Sequence, residues 1–158
     1  MIESSPTPIT QADPTAPEAI ACLCAYYAEL DRTFPSGFYP GPVPGDGLDK
    51  MRPPFGTFLL AWNAATPVAC VALRGDGSPV GEVKRLWIAE ALRGQGLATR
   101  LMAAVDDQAR TLGMTVLQLD TSRHLPGAVA MYRHYGWTEI PRYNDNPHAH
   151  HWFEKRLG

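Results

Sequence analysis

The stretch from residue 80 to residue 121 constrains the fold more than any other part of the chain. It has the pattern of an apolar strand over 80–88, a glycine-containing connection, a helix from Gly96 to about Leu112, and a second apolar strand over 115–121. Two strands joined through one helix run parallel, and such crossovers are almost always right-handed. The sequence therefore predicts an α/β fold whose sheet contains a parallel pair.

Further elements are predicted on both sides of this crossover. Residues 15–34 carry an apolar face at helical spacing, and Thr15 with Glu18 forms the pattern of a capping box. Residues 35–56 are crowded with proline and glycine, which is typical of a long loop that is either functional or flexible. The remaining elements are a short strand near Ile9, strands over 57–62 and 68–74 joined as a hairpin, a helix from Pro126 to Tyr135, and closing strands within 137–143 and 150–157.

Length and charge limit the class of protein. The chain has 158 residues and no internal repeats, so we expect one domain over 1–158 with a loose lead-in over 1–14. A formal net charge of -2 gives no reason to expect a nucleic acid or an anionic membrane as partner. No apolar run approaches the ~20 residues needed to cross a bilayer. The N-terminus also lacks the basic start and apolar core of a secretory signal, so a cytoplasmic location is expected.

Cysteines and histidines do not indicate a disulfide or a metal. The three cysteines are Cys22, Cys24 and Cys70. Their number is odd and their spacing is not that of metal ligands, so we predict reduced, packed thiols. The three histidines near the C-terminus are His148, His150 and His151. Alternation on a strand could bring two of their rings together, but no cysteine or carboxylate cluster accompanies them, so no metal site is predicted.

The segment Arg93-Gly94-Gln95-Gly96-Leu97-Ala98 lies where the central helix begins. A helix N-terminus presents unpaired N–H groups and a partial positive charge, and it therefore attracts anions. Glycines let a phosphate approach those donors closely, and Arg93 adds a positive charge. The segment predicts a phosphate or pyrophosphate site. A tight turn whose glycines serve only packing is the alternative.

Two common nucleotide-binding patterns do not fit this segment. A P-loop ends in Gly-Lys-Ser/Thr, whereas Gly96 is followed by Leu97 and Ala98. A dinucleotide-binding loop needs a third glycine after the first strand of the fold. Here Thr99 occupies the position of that third glycine, and the preceding strand lies in the middle of the chain. A phosphate group held by this segment would belong to another class of ligand.

The spacing Arg93-x-x-Gly96-x-Ala98, after a strand that ends at Ile88, resembles the acyl-CoA signature of the GNAT (Gcn5-related N-acetyltransferase) superfamily. The segment AVAMYRHYGW at 128–137 is similar to a second recurring block of that superfamily, a helix with a tyrosine that ends in glycine and an aromatic residue. The two blocks occur in the family's order. The closing segment, residues 143–157, resembles members that are fused to MarR-type regulators or encoded beside them.

The resemblance implies a GNAT fold, a mixed, splayed sheet of about six to seven strands flanked by about four helices. The splay would lie between the strand at 80–88 and the strand at 115–121. The resemblance also implies acetyl-CoA as acyl donor, with its pantetheine amides along the first of these strands and its pyrophosphate at the start of the following helix. The implied CoA-binding residues are Trp87, Ile88, Ala89, Arg93, Gly94, Gln95, Gly96, Leu97, Ala98, Thr99, Ser122 and Tyr132.

Acetyl transfer by direct attack needs a base for the amine and a proton donor for the departing thiolate. The resemblance makes Tyr132 the donor, and nearby Tyr135 is interpreted as a packing residue. Glu82 is the candidate base, because it lies six residues before Ile88, where histone-acetylating members carry a catalytic glutamate. The resemblance implies a bulge near the end of the strand at 80–88. The alternative for Glu82 is an ion pair with Lys84, or with Arg85 if that bulge changes the alternation. On an uninterrupted strand one face would hold Glu82, Lys84, Leu86 and Ile88.

We therefore expect an acetyl-CoA-dependent N-acetyltransferase that acts in a ternary complex on a primary amine of a small molecule or peptide. A non-catalytic acyl-CoA sensor and a transferase for a larger acyl group are the alternatives. The resemblance also implies a possible homodimer. The candidate residues on the acceptor side are Phe38, Tyr39, Glu82, Asn144 and His150.

Overall fold

The computed structural model describes residues 7–39 and 48–158. The elements are β1 (Ile9–Gln11), α1 (Pro17–Thr33), a 3-10 helix (Leu48–Met51), β2 (Thr57–Asn63), β3 (Thr66–Arg74), β4 (Val80–Ile88), a second 3-10 helix (Glu90–Leu92), α2 (Leu97–Thr111), β5 (Val116–Thr121), α3 (Pro126–His134), β6 (Thr138–Ile140) and β7 (His151–Arg156). Every strand and helix predicted from the sequence pattern is present. The expected four or so helices correspond, within the described residues, to three α-helices and two 3-10 helices.

The seven strands form one sheet in the order β1-β2-β3-β4-β5-β7-β6. All neighbours are antiparallel except β4 and β5, which run parallel as the crossover predicted. These two strands pair only from Val80 opposite Val116 to Glu82 opposite Gln118. Beyond that point β4 continues to Ile88 and β5 to Thr121, but the two strands no longer pair with each other. The sheet therefore opens into the predicted splay at its centre.

Each face of the sheet carries its own apolar layer. On one face, α2 and α3 pack on strand residues such as Leu117, Leu119 and Phe153. On the other face, α1 packs through Leu23 on a layer that includes Phe58. These side chains are fully or almost fully buried, and burying each contributes about 1.5–3 kcal/mol. The gap between β4 and β5 thus lies in a sheet that is packed on both faces.

A β-bulge of the kind that the family resemblance implies interrupts the alternation of β4. The pairing of β3 with β4 shifts by one residue, and Arg85 takes a left-handed backbone with φ of 58°. The residues predicted to share one face were Glu82, Lys84, Leu86 and Ile88. The first two face α1, because Lys84 lies opposite Ala72 of the α1 layer. The last two pack with the α2 layer, so the prediction is wrong.

Two smaller predictions also need correction. Helix α1 begins after Ala16, which makes no side-chain cap, so the capping box is absent. Thr15 instead donates from its amide and its hydroxyl to the Asp13 carboxylate. The three cysteines are free, with Cys22 and Cys70 buried, but Cys24 is exposed and is not a packed thiol.

Candidate active site

A cleft of about 220 Å³ opens where β4 and β5 separate. Its floor consists of strand residues from both sides of the gap, and α1, α3 and the segment before β7 form its walls. The polar and charged residues that line it include Tyr26, Lys84, Arg85, Asp120, Ser122 and Tyr132. The cleft therefore brings together side chains from elements that are more than a hundred residues apart in sequence.

Tyr132, the predicted proton donor, lies at this cleft. Its ring packs on Trp137 and Phe153, with centroid distances of 5.8 and 5.9 Å. Burial raises the pKa of Tyr132 well above its usual range, and the charge of Asp120 raises it further. The phenol is therefore protonated at neutral pH and can give a proton. Tyr132 also lines a second cavity of about 220 Å³, which lies between α2 and α3 and extends to Thr99.

Asp120 supplies a carboxylate that the sequence analysis did not single out. It lies on β5 two residues after Gln118, the last residue of that strand to pair with β4. Its two oxygens accept hydrogen bonds from the side-chain amides of Asn144 and Asn146, the latter at 3.1 Å. Trp152 fixes Asn144 by donating to its amide oxygen at 2.9 Å. The carboxylate is thus held in one orientation at the start of the gap.

Glu82, the predicted base, lies at the last paired position of β4 and is not among the residues that line the cleft. One of its oxygens lies 3.5 Å from the Lys84 ammonium, so the ion pair named as its alternative is present. The other accepts a hydrogen bond from the Tyr143 hydroxyl at 2.7 Å. Burial, followed by this hydrogen bond, raises the pKa of Tyr143 above its usual range.

The glycine-containing segment before α2 has the geometry of an anion site. Gly94 and Gly96 adopt φ of 78° and 81°, a left-handed backbone that other residues rarely take. A Cβ would meet nothing within 4 Å at either position, so backbone conformation and not crowding requires glycine. Among the described residues, the amides at 94–96 have no protein acceptor. They and the first helical amides of α2 remain available to a phosphate.

Arg93 connects this segment to the rest of the fold. Its guanidinium donates to the carbonyl of Ile88 at 2.9 Å and pairs with Glu29 of α1. The amide of Ala89 donates to Val68 on β3. Because hydrogen-bonding direction alternates along a strand, Trp87 also faces β3, whereas the main chain of Ile88 faces the gap. Of the three residues predicted to pair with pantetheine, Ile88 is therefore the one whose amide groups point toward the open side.

The predicted acceptor-side residues fall in different places. Phe38 lines the cleft, and Asn144 holds Asp120. Ser122, which was predicted to bind CoA, also lines the cleft. Tyr39 is 74% exposed and is not part of the cleft lining. The Nδ1 of His150 accepts a hydrogen bond from the amide of Arg123, and its pKa is lowered by burial and then by nearby positive charges.

Four aromatic side chains form one wall of the cleft, and we call them the aromatic wall. They are Tyr27, Phe34, Phe38 and His148. His148 stacks on Phe34 at 5.1 Å, and Phe38 lies 5.1 Å from His148 and 5.7 Å from Tyr27. Apart from Phe38, these residues were not predicted, because the end of α1 and the segment before β7 meet only in three dimensions.

Two further features concern metals and membranes. Within residues 7–39 and 48–158, no group of three or more His, Cys, Asp and Glu side chains is placed to hold a metal ion. In the same ranges, no helix combines the length and the apolar character needed to cross a bilayer.

Comparison with known proteins agrees with this geometry. The sequence profile of the Acetyltransferase (GNAT) family matches residues 23–137. An IAA acetyltransferase from Azospirillum brasilense is 32% identical over 58% of this chain and 61% of its own length. An uncharacterized N-acetyltransferase from Schizosaccharomyces pombe is 33% identical over 63% of each chain. This chain thus spans about three fifths of the length of these relatives.

Solved structures show the same architecture. An acyl-CoA N-acyltransferase from Klebsiella pneumoniae superposes with a TM-score of 0.76 at 27% identity, covering 97% of this chain and 99% of that one. An acetyltransferase from Streptococcus agalactiae gives 0.80 at 18% identity, covering 96% and 98%. An N-acetylglutamate synthase from Neisseria gonorrhoeae, complexed with coenzyme A and L-arginine, gives 0.68 at 18% identity, covering 96% and 33%. The chain belongs to the GNAT acetyltransferase family, whose acyl donor is acetyl-CoA.

Proposed function

We propose that the protein is an N-acetyltransferase that moves the acetyl group of acetyl-CoA directly to a primary amine of a small molecule or peptide. The observation that carries this proposal is the position of Tyr132. Its protonated phenol lies at the gap between β4 and β5, on the same cleft as the Asp120 carboxylate. A proton donor and a proton acceptor at one gap are what direct aminolysis of a thioester requires.

The residues around the gap fit the donor. Acetyl-CoA supplies an acyl group activated as a thioester. Ile88 would bind a pantetheine carbonyl through its backbone N–H, since its own carbonyl accepts a hydrogen bond from Arg93. Backbone amides from Gly94 to Thr99 would hold the pyrophosphate, and Arg93 would add positive charge beside them. The cavity between α2 and α3 connects Thr99 with Tyr132, which supports a path from the phosphate site to the proton donor.

Three proton transfers accompany the proposed reaction. Asp120 would accept one proton from the substrate ammonium, so that the neutral nitrogen can attack the carbonyl carbon. Tyr132 would give its phenolic proton to the sulfur as the carbon–sulfur bond breaks. The second proton of the attacking nitrogen would then pass to the tyrosinate, which leaves a neutral amide and restores Tyr132, and Asp120 would release its proton to solvent. We propose Asp120 rather than Glu82 as the base, because Asp120 lines the cleft whereas Glu82 is engaged by Lys84 and Tyr143.

Calorimetry and a turnover screen test the function. Acetyl-CoA is titrated into the protein, and thiol release is then followed with a panel of amines, amino acids and short peptides. We expect saturable binding and turnover of at least one amine class. Absence of binding at high micromolar acetyl-CoA would contradict the proposal. Tight binding without turnover would favour the non-catalytic sensor, and faster transfer from propionyl- or butyryl-CoA would favour the larger acyl group.

Two finer expectations stay predictions of the family resemblance. One is the association of residues 143–157 with MarR-type regulators, and the other is a homodimer. Light scattering of the purified chain measures its mass in solution and decides the second directly.

A further inference from the structure

We propose that the acceptor amine carries a carboxylate that binds to Arg85, so that the substrate is a small amino acid with an apolar or aromatic side chain. This inference rests on the proposed transferase function and specifies its acceptor. It depends on three observations in the cleft: an arginine at a strained bulge, a carboxylate on the neighbouring strand, and the aromatic wall.

Arg85 occupies an unusual backbone position. Its φ of 58° is left-handed, a conformation that costs a residue with a Cβ about 1–2 kcal/mol. Glycine would avoid that cost but would remove the guanidinium from the cleft. Such strain persists where the surrounding structure fixes it, and it is frequent at ligand-binding positions. The bulge thus places a positive charge on the cleft at some cost in backbone energy.

Within residues 7–39 and 48–158, no carboxylate forms an ion pair with Arg85. None of the seven ion pairs formed by the described residues includes Arg85. Its Nε donates to the Tyr27 hydroxyl at 2.8 Å, and its Nη1 lies 2.9 Å from the Met51 sulfur, a weak acceptor. The neighbouring Lys84 is already paired with Glu82. Arg85 therefore presents a half-buried guanidinium that is oriented by its contacts and suits a carboxylate in bidentate geometry.

The opposite charge lies across the gap. Asp120 is on β5, and Arg85 is on the diverging part of β4. Both side chains line the cleft, together with Tyr26. A zwitterion with its ammonium toward Asp120 and its carboxylate toward Arg85 matches this arrangement. It also places the nitrogen beside Tyr132, where the acyl group would be transferred.

The aromatic wall and the cleft size define the rest of the substrate. Tyr27, which accepts the hydrogen bond from Arg85, is also the first member of the wall. A side chain attached to the carbon that bears the carboxylate would therefore reach Phe34, Phe38 and His148. The volume of about 220 Å³ is below the roughly 300–1,000 Å³ of most drug-sized ligand sites, which favours a single amino acid.

Three matched acceptors test the carboxylate requirement. L-phenylalanine, its amide and phenethylamine share the aromatic ring and the amine but differ in the carboxylate. For the wild-type protein we expect kcat/KM to be at least about 100-fold higher for L-phenylalanine than for either analogue. In R85M this preference should fall to about tenfold or less, because L-phenylalanine loses the partner of its carboxylate. R110M, which changes an exposed arginine near the end of α2, is the control and should keep the full preference.

The outcomes separate this inference from the function on which it rests. If no amine is acetylated, the proposed function fails. If the three acceptors react equally well, the function stands and the carboxylate inference is overturned. Equal loss of all three activities in R85M, with acetyl-CoA affinity unchanged, would also overturn it. Should R85M fail to fold, R85K serves instead, since lysine keeps the charge but loses the bidentate fork, and an intermediate loss of preference is expected.

Discussion

At the scale of single residues, the position of Tyr132 makes a direct prediction. We expect Y132F to lower kcat by about 10²–10⁴-fold, because the departing thiolate loses its proton donor. The affinity for acetyl-CoA should hardly change, since the ring still packs on Trp137 and Phe153. A thiol-release assay measures kcat, and calorimetry measures the affinity for acetyl-CoA.

The matched control for Y132F is Y135F. Tyr135 is 51% exposed and lies one helical turn further along, so its hydroxyl should be dispensable. Equal turnover of Y132F and the wild-type protein would remove Tyr132 from the chemistry. A larger loss of kcat in Y135F than in Y132F would show that Tyr135, and not Tyr132, is the proton donor.

The identity of the base is decided by comparing two carboxylates. D120N should lower kcat by at least about 10²-fold, because the substrate ammonium loses its proton acceptor. E82Q should retain most of the wild-type kcat. A large loss of kcat in E82Q together with a small loss in D120N would assign the base to Glu82.

Individual residues also show what a sequence pattern can and cannot provide. Glu82 was found from the spacing at which histone-acetylating members carry a catalytic glutamate, but here it contacts Lys84 and Tyr143 and does not line the cleft. The bulge at Arg85 changes the alternation, and neither its left-handed backbone nor its exposure to the cleft is encoded in the residue type. Asp120 was missed because a carboxylate at a strand end becomes significant only once the neighbouring strand has diverged.

At the scale of elements, the start of α2 depends on backbone conformation. G96A should destabilise the fold by about 1 kcal/mol, since alanine is strained at φ of 81° although its Cβ has room. For a domain of this size, that corresponds to about 2–4 °C in Tm. The KM for acetyl-CoA should rise more than kcat falls, because the displaced amides bind phosphate and take no part in proton transfer.

The control for this element is G127A in α3. Gly127 lies inside a helix without a positive φ, and its Cβ would also meet open space. Alanine there should leave Tm unchanged or raise it slightly, with no effect on KM. If G96A and G127A behaved alike in both measurements, the left-handed turn would have no role in binding the donor.

The elements themselves were largely predictable, for physical reasons. The strands at 57–63 and 66–74 alternate or are continuously apolar around a turn, and α2 has an apolar stripe that ends before Gly113. The start of α1 was harder to predict, because Thr15 has the residue type of an N-cap but donates its hydrogen bonds to Asp13. Local sequence patterns can therefore place an element more reliably than they can name the contact that begins it.

At the scale of the whole molecule, the splayed sheet separates the proposed donor site from the proposed acceptor site. The glycine-containing segment before α2 and α3 belong to the layer on one face, whereas Arg85 and the aromatic wall lie with α1 on the other. Tyr132 packs in the first layer and reaches the cleft of the second through the gap. In the function proposed above, donor and acceptor would therefore be bound at the same time, with Tyr132 where they meet.

This arrangement predicts a ternary-complex mechanism without an acyl-enzyme. Of the cysteines, Cys22 and Cys70 are buried and Cys24 is exposed, and none of the three lines the cleft. Double-reciprocal plots of rate against acetyl-CoA at several acceptor concentrations should therefore intersect, whereas a covalent intermediate would give parallel lines. C24S should keep full activity, because this thiol faces solvent on α1. Parallel lines would instead indicate a nucleophile on the protein. Loss of turnover in C24S would identify the Cys24 thiol as that nucleophile.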